Sequence, residues 1–231
     1  MKINLFNKKS SNNKVRDIIN CNLYSNILDI YIIGNGPSLN DFKASEFQNK
    51  FTIGTNRSWI WGNTNLLIWR DNRITEEIEM FELDKPKSCK WICSQDKSFI
   101  KNKISEYTYV MQNIDYTFKD NWMKKILNTN IKWNGIVFHA IAIAKYINPD
   151  AKIHLIGIDL NIDEDHHFFS SLKGFNQGFY NKAWDSSTFN YQKRLNMMYS
   201  NFKRLKDAGL IFKNYSNRSQ LKELFGVEKN I

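Results

Sequence analysis

The feature that most constrains the fold is an uninterrupted apolar run, Ile30-Tyr31-Ile32-Ile33, that ends directly in the turn Gly34-Asn35-Gly36-Pro37-Ser38. A short apolar run without polar alternation is typical of a strand buried on both faces, as in parallel sheets. A glycine-rich turn between such a strand and a helix is where open α/β sheets bind ligands. The sequence therefore predicts a buried strand over residues 28–34, followed by a ligand-binding turn. A plain tight turn with a helix cap is the alternative interpretation.

The rest of the chain alternates between strand and helix patterns. Strands are predicted over residues 51–56, 66–69, 90–93, 107–111, 152–158 and 210–213, and helices over 40–47, 75–81, 134–146, 191–207 and 219–225. Such alternation predicts a doubly wound, mostly parallel sheet of the Rossmann-like α/β class. Residues 160–187 show no regular period, which is typical of a functional or mobile loop. We therefore expect one α/β domain over 29–231 with a mobile lid at about 160–187, preceded by a polar, basic extension over 1–28.

The cysteines and the hydropathy pattern bear on the compartment. Cys21, Cys89 and Cys93 are too few for a disulfide framework, and no second ligand pair stands at zinc spacing from them. No apolar run approaches the roughly 20 residues needed to span a membrane. We expect a cytoplasmic protein with reduced thiols, and the oligomeric state stays open.

A surplus of positive charge is the strongest global feature. The chain has 33 Lys and Arg against 23 Asp and Glu, a net charge of +10. Such a surplus favours polyanionic partners: nucleic acid, an anionic membrane surface or a phosphorylated small molecule. A solvated basic surface without such a partner is the alternative. DNA is one partner that this charge favours.

Polar residues follow several of the predicted strands. Asn56 ends the second strand, Asp71-Asn72 follows the third, and Asp159 ends the strand at 152–158. Asn134-Gly135 opens the long helix, with Asn134 as the predicted N-cap, and the free backbone N–H groups of a helix start bind phosphate well. Because the carboxyl ends of parallel strands face one crevice, these residues are expected to share a site with the first turn.

Two histidines stand in an acidic stretch of the predicted lid, Asp163-Glu164-Asp165-His166-His167. Two aspartates near a phosphate site can hold a divalent metal ion that bridges a diphosphate. A histidine there can act as a general base, because its ordinary pKa lies near neutrality. A solvated acidic loop is the alternative. His139, expected opposite the apolar stripe of its helix, and His154, in a buried strand, are predicted to be structural.

Aromatic and basic side chains are interleaved from the lid into the following helix. The aromatics are Phe168, Phe169, Phe175, Phe179, Tyr180, Trp184, Phe189 and Tyr191, and the cations are Lys173, Lys182, Lys193 and Arg194. Aromatics can stack on bases or sugars while cations hold phosphates. The candidates for binding the acceptor are Lys173, Lys182, Trp184, Tyr191 and Arg194. A lid whose aromatics only pack on the domain is the alternative.

The run from Tyr31 to Leu39, which contains Gly-Asn-Gly-Pro-Ser, resembles the opening of the bacterial sialyltransferases that use CMP-sialic acid. It is equally similar to a broader family that includes the archaeal 6-hydroxymethylpterin diphosphokinase. Thr55-Asn56-Arg57 is similar to the Cys-Asn-Gln turn of the sialyltransferases. The helix pattern after Asn134-Gly135, followed by the strand pattern that ends in Gly157-Ile158-Asp159, resembles their Ser-Gly-helix-strand-Gly-Ile-Asp block. The similarity covers roughly residues 29–72 and 133–160.

The resemblance implies a GT-A-like glycosyltransferase fold and a nucleotide-sugar donor, CMP- or UDP-linked. The nucleotide would lie on the first turn and on the end of the second strand, at Gly34, Asn35, Gly36, Pro37, Ser38 and Asn56. Asp71 and Asn72 would face the sugar or phosphate, and Asn134-Gly135 the base and ribose. The family's catalytic histidine lies in a lid after the Gly-Ile-Asp strand. The catalytic candidates are therefore His166 and His167 as the base, Asp159 at the strand end, and Tyr180 for departure of the phosphate.

The leading hypothesis is a glycosyltransferase that moves a sugar from a nucleotide sugar to a hydroxyl. A hydroxymethylated base in DNA is a candidate acceptor, and a surface glycan is its rival. One alternative is a diphosphokinase that acts on a small alcohol and needs a metal site, for which Asp71, Asp159, Asp163 and Asp165 are available. Another is a nucleotide- or nucleic-acid-binding module without catalysis. The need for a divalent metal stays open.

Overall fold

The computed structural model describes residues 26–69, 74, 90–93, 108–110, 135–161, 188–229 and 231. The predicted helix at 75–81 lies outside these residues, as do 1–25 of the expected extension and 162–187 of the expected lid. The division into an extension, a domain and a lid therefore stays a prediction.

Seven strands form a single sheet in the described part of the chain. In sequence order they are β1 (Asp29–Ile33), β2 (Phe51–Thr55), β3 (Leu66–Trp69), β4 (Lys90–Cys93), β5 (Thr108–Val110), β6 (Lys152–Ile156) and β7 (Phe212–Asn214). Their order across the sheet is β5-β4-β3-β2-β1-β6-β7, and each neighbouring pair is parallel. The predicted parallel α/β sheet is confirmed.

Three α-helices and three 3₁₀ helices accompany the strands in the described ranges. The α-helices are α1 (Ile136–Ile147), α2 (Thr188–Asp207) and α3 (Lys222–Phe225), and the 3₁₀ helices are Pro37–Asp41, Ala44–Phe47 and Asn56–Ile60. The prediction of one helix over 40–47 is wrong. Pro37 starts a 3₁₀ helix earlier, and Phe42 and Lys43 are extended, which separates that helix from the next. Phe42 and Phe47 then pack edge to face, with ring centroids 6.4 Å apart.

The alternating side chains of the central strands fill two cores. Ile30 and Ile32 of β1 pack with α1 and α2 on one face of the sheet. Tyr31 and Ile33 pack on the other face, in the cluster that contains Phe47 of the second 3₁₀ helix. Because successive side chains of a strand point to opposite faces, an uninterrupted apolar run is what a two-sided core requires.

Helix α1 is buried on all sides, which corrects one prediction. Its residues from Val137 to Ala144 are at most 3% exposed, and His139 is among them at 3%. His139 was expected on a face opposite the apolar stripe, but the segment is apolar around its whole circumference, as is typical of a helix covered on all sides. Asn148 caps the end of the helix, since its N–H donates to the carbonyl of Ala144.

The strand order places a switch point between β1 and β6. From β1 the chain proceeds outward through β2, β3, β4 and β5, and then returns to place β6 and β7 on the other side of β1. Connections on either side of such a reversal leave a crevice at the carboxyl ends of the two central strands. The turn after β1 is Gly34–Ser38, and the turn after β6 is Gly157–Asp159.

Candidate functional site

The two turns at the switch point pack directly against each other. The N–H of Gly34 donates to the carbonyl of Ile156 at 2.7 Å, and the N–H of Gly36 donates to that of Gly157 at 2.8 Å. A Cβ on Gly34 would lie 2.2 Å from the Gly157 oxygen, and a Cβ on Gly36 would lie 2.4 Å from Oδ2 of Asp159. Both glycines are therefore required by the close approach of the turns.

Asp159 binds the first turn through both of its carboxylate oxygens. The backbone N–H of Ser38 donates to Oδ2 at 2.8 Å, and the Ser38 hydroxyl donates to Oδ1 at 2.5 Å. Asp159 is 5% exposed and Ser38 is fully buried. Hydrogen bonds to a charged carboxylate are stronger than neutral ones, and more so away from water. The Ser38–Asp159 pair therefore fixes the geometry of the crevice floor.

Asn35 is held by β2. Its Nδ2 donates to the carbonyl of Thr55 at 2.8 Å, and the Thr55 hydroxyl donates to the carbonyl of Ile33 at 3.0 Å. The Oδ1 atom of Asn35 is buried but accepts no hydrogen bond from any residue that the structure describes. A buried acceptor without a donor costs about 1–3 kcal/mol. Asn35 is thus oriented by the protein and carries an acceptor suited to a ligand N–H or O–H.

Two non-glycine residues of the described ranges have left-handed backbone conformations, and both lie in segments that follow central strands. Asn56, with φ of 49°, follows β2, and Leu160, with φ of 54°, follows Asp159. Asparagine tolerates this region, whereas leucine adopts it rarely and at a cost in free energy. Strained residues of this kind concentrate at functional sites. The conformation of Leu160 supports a functional role for the turn after β6.

Helix α1 begins at the same edge of the sheet. The helix leads into β6 at the amino edge, where Asn148 donates to the carbonyl of Ile27, so the start of α1 lies at the carboxyl edge. Gly135, with φ of 86°, occupies the N-cap position that was predicted for Asn134, and Asn134 lies outside the described residues. The free N–H groups of this twelve-residue helix carry the positive end of its dipole. They provide a place for an anionic group.

The segment after β7 supports the Gly157–Asp159 turn. The Ser219 hydroxyl donates to the carbonyl of Ile158 at 2.7 Å, and the N–H of Gln220 donates to that of Asp159 at 3.1 Å. Sequence reasoning missed Ser219 and Thr55. Thr55 precedes the predicted Asn56, so its place at a strand end was an available signal. No local signal pointed to Ser219, because its hydrogen bond to Ile158 joins residues 61 positions apart.

The structure brings together part of the predicted site. Gly34, Asn35, Gly36, Pro37, Ser38 and Asp159 form the two packed turns, Asn56 follows β2, and Gly135 caps α1. Arg194 is an exposed residue of α2, and Tyr191 lies on the same helix. The other predicted residues lie outside the described ranges: Asp71, Asn72, Asn134, His166, His167, Lys173, Tyr180, Lys182 and Trp184. Their roles stay predictions.

A buried histidine lies in the middle of β6, beside Tyr31 of β1. His154 Nε2 is 2.7 Å from Oδ1 of Asp29, its Nδ1 is 2.9 Å from the Tyr215 hydroxyl, and its ring stacks on Tyr31 at 4.1 Å. Burial lowers the pKa of His154, and the hydrogen bond to Asp29 opposes that shift. Burial also raises the pKa of Tyr215 to about 12. These contacts fit the structural role predicted for His154.

Two kinds of feature are absent from the described residues. Among them, no group of three or more His, Cys, Asp or Glu side chains is placed to hold a metal ion. Of the helices in the described ranges, none combines the length and the apolar character needed to cross a membrane.

Solved structures of sialyltransferases resemble this chain over most of its length. The monofunctional alpha-2,3-sialyltransferase Cst-I from Campylobacter jejuni matches 89% of this chain and 82% of its own, with a TM-score of 0.55 and 17% identity. The sialyltransferase CstII from Campylobacter jejuni, in complex with the substrate analogue CMP-3FNeuAc, matches 87% of each chain, with a TM-score of 0.51 and 15% identity. A CST-II variant in complex with CMP has a TM-score of 0.53 at 15% identity and the same coverage.

The chain shares their fold. No protein-family model matches the sequence, and no curated protein is similar enough to count as a relative. The expected α/β architecture of the sialyltransferase type is therefore confirmed from the structure.

Proposed function

We propose that this chain is a glycosyltransferase whose nucleotide-sugar donor lies over the carboxyl ends of β1, β2 and β6. The observation that carries the proposal is the Asn35 side chain, whose Nδ2 is held by Thr55 while its buried Oδ1 has no described donor. That acceptor stands at the switch point, where open α/β sheets bind ligands. The shared fold with enzymes solved with CMP and a CMP-sugar analogue favours a CMP-linked donor over a UDP-linked one.

Within this proposal the donor meets three parts of the crevice. Asn35 accepts a hydrogen bond from a ribose hydroxyl or a base amino group, while Gly36 lets the nucleotide approach the backbone closely. The first N–H groups of α1, beyond Gly135, face the phosphate and stabilise the charge that develops as it departs. Ser38 and Asp159 act as positioning residues, because the Ser38 N–H and hydroxyl donate to the Asp159 carboxylate rather than to the donor.

The chemical step needs a base for the acceptor hydroxyl. His166 or His167 would remove its proton as the oxygen attacks the anomeric carbon and the bond from that carbon to the phosphate oxygen breaks. Tyr180 would donate a hydrogen bond to the departing phosphate. Closure of 160–187 over the donor would exclude water, which would otherwise compete as the acceptor. This part of the proposal rests on the sequence.

The acceptor is proposed from charge. The surplus of ten positive charges favours a polyanion, and a hydroxymethylated base in DNA is the first candidate, with a surface glycan as the rival. On duplex DNA, log affinity should fall with log salt by about 0.9 for each phosphate contact. Replacing Lys193 or Arg194, both exposed on α2, with Ala should reduce that slope. A duplex that is not bound even at low salt would exclude DNA and leave the glycan.

The diphosphokinase alternative is less well supported by the same geometry. It needs carboxylates that can hold a metal ion beside the phosphates. Asp159 is a carboxylate that the structure places at the crevice, and both its oxygens already accept hydrogen bonds from Ser38. Metal coordination there would have to displace at least one of these bonds.

A thermal-shift panel tests the proposed donor. The protein is heated with CMP, UDP, GDP or ATP, each with and without a divalent cation. A ligand at one hundred times its dissociation constant adds about 2.7 kcal/mol to stability. We expect CMP to raise the melting temperature most. Stabilisation by ATP alone, and only with the cation, would favour the diphosphokinase.

A further inference from the structure

A second concavity lies away from the switch point. It has a volume of about 440 Å³ and is lined by Ala44, Ser45, Phe47, Gln48, Thr52, Gly62, Asn63, Thr64 and Asn65. The 3₁₀ helix Ala44–Phe47 forms one wall, the segment 62–65 that leads into β3 forms the other, and Thr52 of β2 contributes between them. Small-molecule sites have volumes of about 300–1,000 Å³, so this cavity has the size of a ligand site.

The cavity is separate from the proposed donor site. Thr52 lies near the start of β2, three residues before Thr55, and a strand rises about 3.3 Å per residue, which separates the two positions by about 10 Å. Asn65 immediately precedes β3, so it also lies at the amino edge of the sheet. The lining includes no residue of the turns Gly34–Ser38 and Gly157–Asp159.

The lining is polar, and none of its described residues has a charged side chain. Six of its nine residues have neutral hydroxyl or amide side chains: Ser45, Gln48, Thr52, Asn63, Thr64 and Asn65. The chain as a whole has 33 basic and 23 acidic residues, so a neutral lining contrasts with the rest of its composition. An anionic ligand would find no cation among these nine residues. Alternating hydroxyl and amide groups match a ligand that is itself neutral and rich in hydroxyl groups.

One lining amide is fixed in place by the protein. Asn65 Oδ1 accepts hydrogen bonds from the N–H of Thr52 at 2.8 Å and from its hydroxyl at 3.0 Å, and the N–H of Asn65 donates to that hydroxyl at 3.1 Å. The amide orientation is therefore set before any ligand binds, and its Nδ2 group donates to no described residue. Preorganised polar groups lower the cost of ordering on binding.

Three further side chains offer hydrogen bonds at the rim. Ser45, Gln48 and Asn63 are exposed, and none of their side chains is bonded to a described residue. The walls that carry them meet at Gly62, where an added Cβ would lie 2.5 Å from Cβ of Ala44. Small residues at this meeting point keep the walls close enough for one ligand to contact both.

We propose that this cavity binds a neutral saccharide. Asn65, Gln48 and Asn63 would bond to its hydroxyl groups. The site is a binding site only and involves no covalent step. It does not rest on the proposed glycosyltransferase activity, because its lining and its ligand are independent of the donor crevice.

Saturation-transfer NMR with lactose as the probe tests the proposal on the full chain. We expect lactose to bind at millimolar concentration and to remain bound when CMP is added. The double variant Gln48→Ala/Asn63→Ala should bind lactose about tenfold more weakly or worse, since it removes two hydrogen-bonding groups. Asn49→Ala is the matched control, because Asn49 is exposed beside Gln48 but does not line the cavity.

Three results would overturn the proposal. They are no lactose binding at millimolar concentration, equal binding by the double variant and the wild type, and displacement of lactose by inorganic phosphate. The two single variants are measured alongside, so that a folding defect in the double variant does not decide the outcome. If the wild-type protein binds lactose but does not bind CMP, the result counts against the proposed donor site and leaves the saccharide site standing.

Discussion

Ser38 and Asp159 are 121 positions apart in the sequence, yet two hydrogen bonds join them at the floor of the crevice. The backbone N–H and the hydroxyl of Ser38 each donate a hydrogen bond to one oxygen of the Asp159 carboxylate. The pair fastens the turn after β1 to the turn after β6. The position of Asn35, three residues before Ser38, depends on this connection.

A double-mutant cycle measures the Ser38–Asp159 connection. Asp159→Asn and Ser38→Ala should each lower the free energy of unfolding by about 1–3 kcal/mol, because each leaves a buried polar group without its partner. The double variant should lose less than the sum, since the two changes remove the same interaction. Urea denaturation provides the values, and Asp207→Asn, at an exposed pair with Lys203, is the control. Strict additivity would show that the two residues are not coupled.

Gly34 should tolerate no side chain. A Cβ there would lie 2.2 Å from the backbone oxygen of Gly157, and a backbone atom cannot move aside as a side chain can. We expect Gly34→Ala to lower stability by about 3 kcal/mol or to prevent folding, at the upper end of overpacking effects. Gly209→Ala, which meets no atom within 4 Å but has φ of 89°, should cost about 1–2 kcal/mol from its backbone conformation alone. Denaturation curves in which Gly34→Ala is the milder change would contradict the packing of the turns.

His154 should make the fold sensitive to acid. Its pKa in the folded chain is lowered by burial, against an ordinary value of 6.5. The unfolded chain therefore binds a proton more readily, so stability is present above about pH 6.5 and falls as the pH drops below it. Lys213, Glu228 and Asp29 face the same ring and modulate the effect. His154→Gln should reduce the loss of stability between pH 7 and pH 5, and thermal unfolding across that range measures this loss. An equal loss of stability in the variant and the wild type would contradict a lowered pKa for His154.

The histidines of the predicted lid are tested by turnover. Replacing the true base, His166 or His167, with Ala should lower kcat by about a hundredfold or more, as is usual for a positioned general base. CMP affinity should stay close to that of the wild type, because the base contacts the acceptor hydroxyl. Transfer assays and CMP titrations on both single variants make this comparison. Near-normal turnover in both would place the base elsewhere.

Local sequence patterns were enough to predict most strands of the sheet. Asp29–Ile33, Phe51–Thr55 and Leu66–Trp69 were predictable as strands because nearly every residue in them is buried, whichever face of the sheet it points to, and the sequence shows this as runs with few polar residues. The prediction of one helix over 40–47 was wrong because residues 42 and 43 are extended, and Phe42 packs against Phe47. Nothing in the local pattern signals that packing.

The site was predictable only in outline. The Gly-Asn-Gly-Pro-Ser turn was predictable, because glycines after a buried strand have a local cause. Asp159 was expected directly at a strand end, but β6 ends at Ile156 and Asp159 lies in the turn that follows. The hydrogen bonds between Ser38 and Asp159, and from Ser219 to Ile158, depend on the placement of β6 beside β1 and of β7 beside β6. Strand order is a non-local property, so the roles of these side chains emerge only from the fold.

Calorimetric titration of CMP into wild-type, Asn35→Ala and Asn49→Ala proteins tests the central claim most directly. Asn49 is an exposed asparagine, whereas Asn35 carries the buried acceptor at the switch point. We predict that wild type and Asn49→Ala bind CMP equally, and that Asn35→Ala remains folded but binds about tenfold more weakly or worse, as loss of a buried hydrogen bond requires. A folded Asn35→Ala protein that binds CMP as tightly as the wild type would contradict the assignment of the donor site.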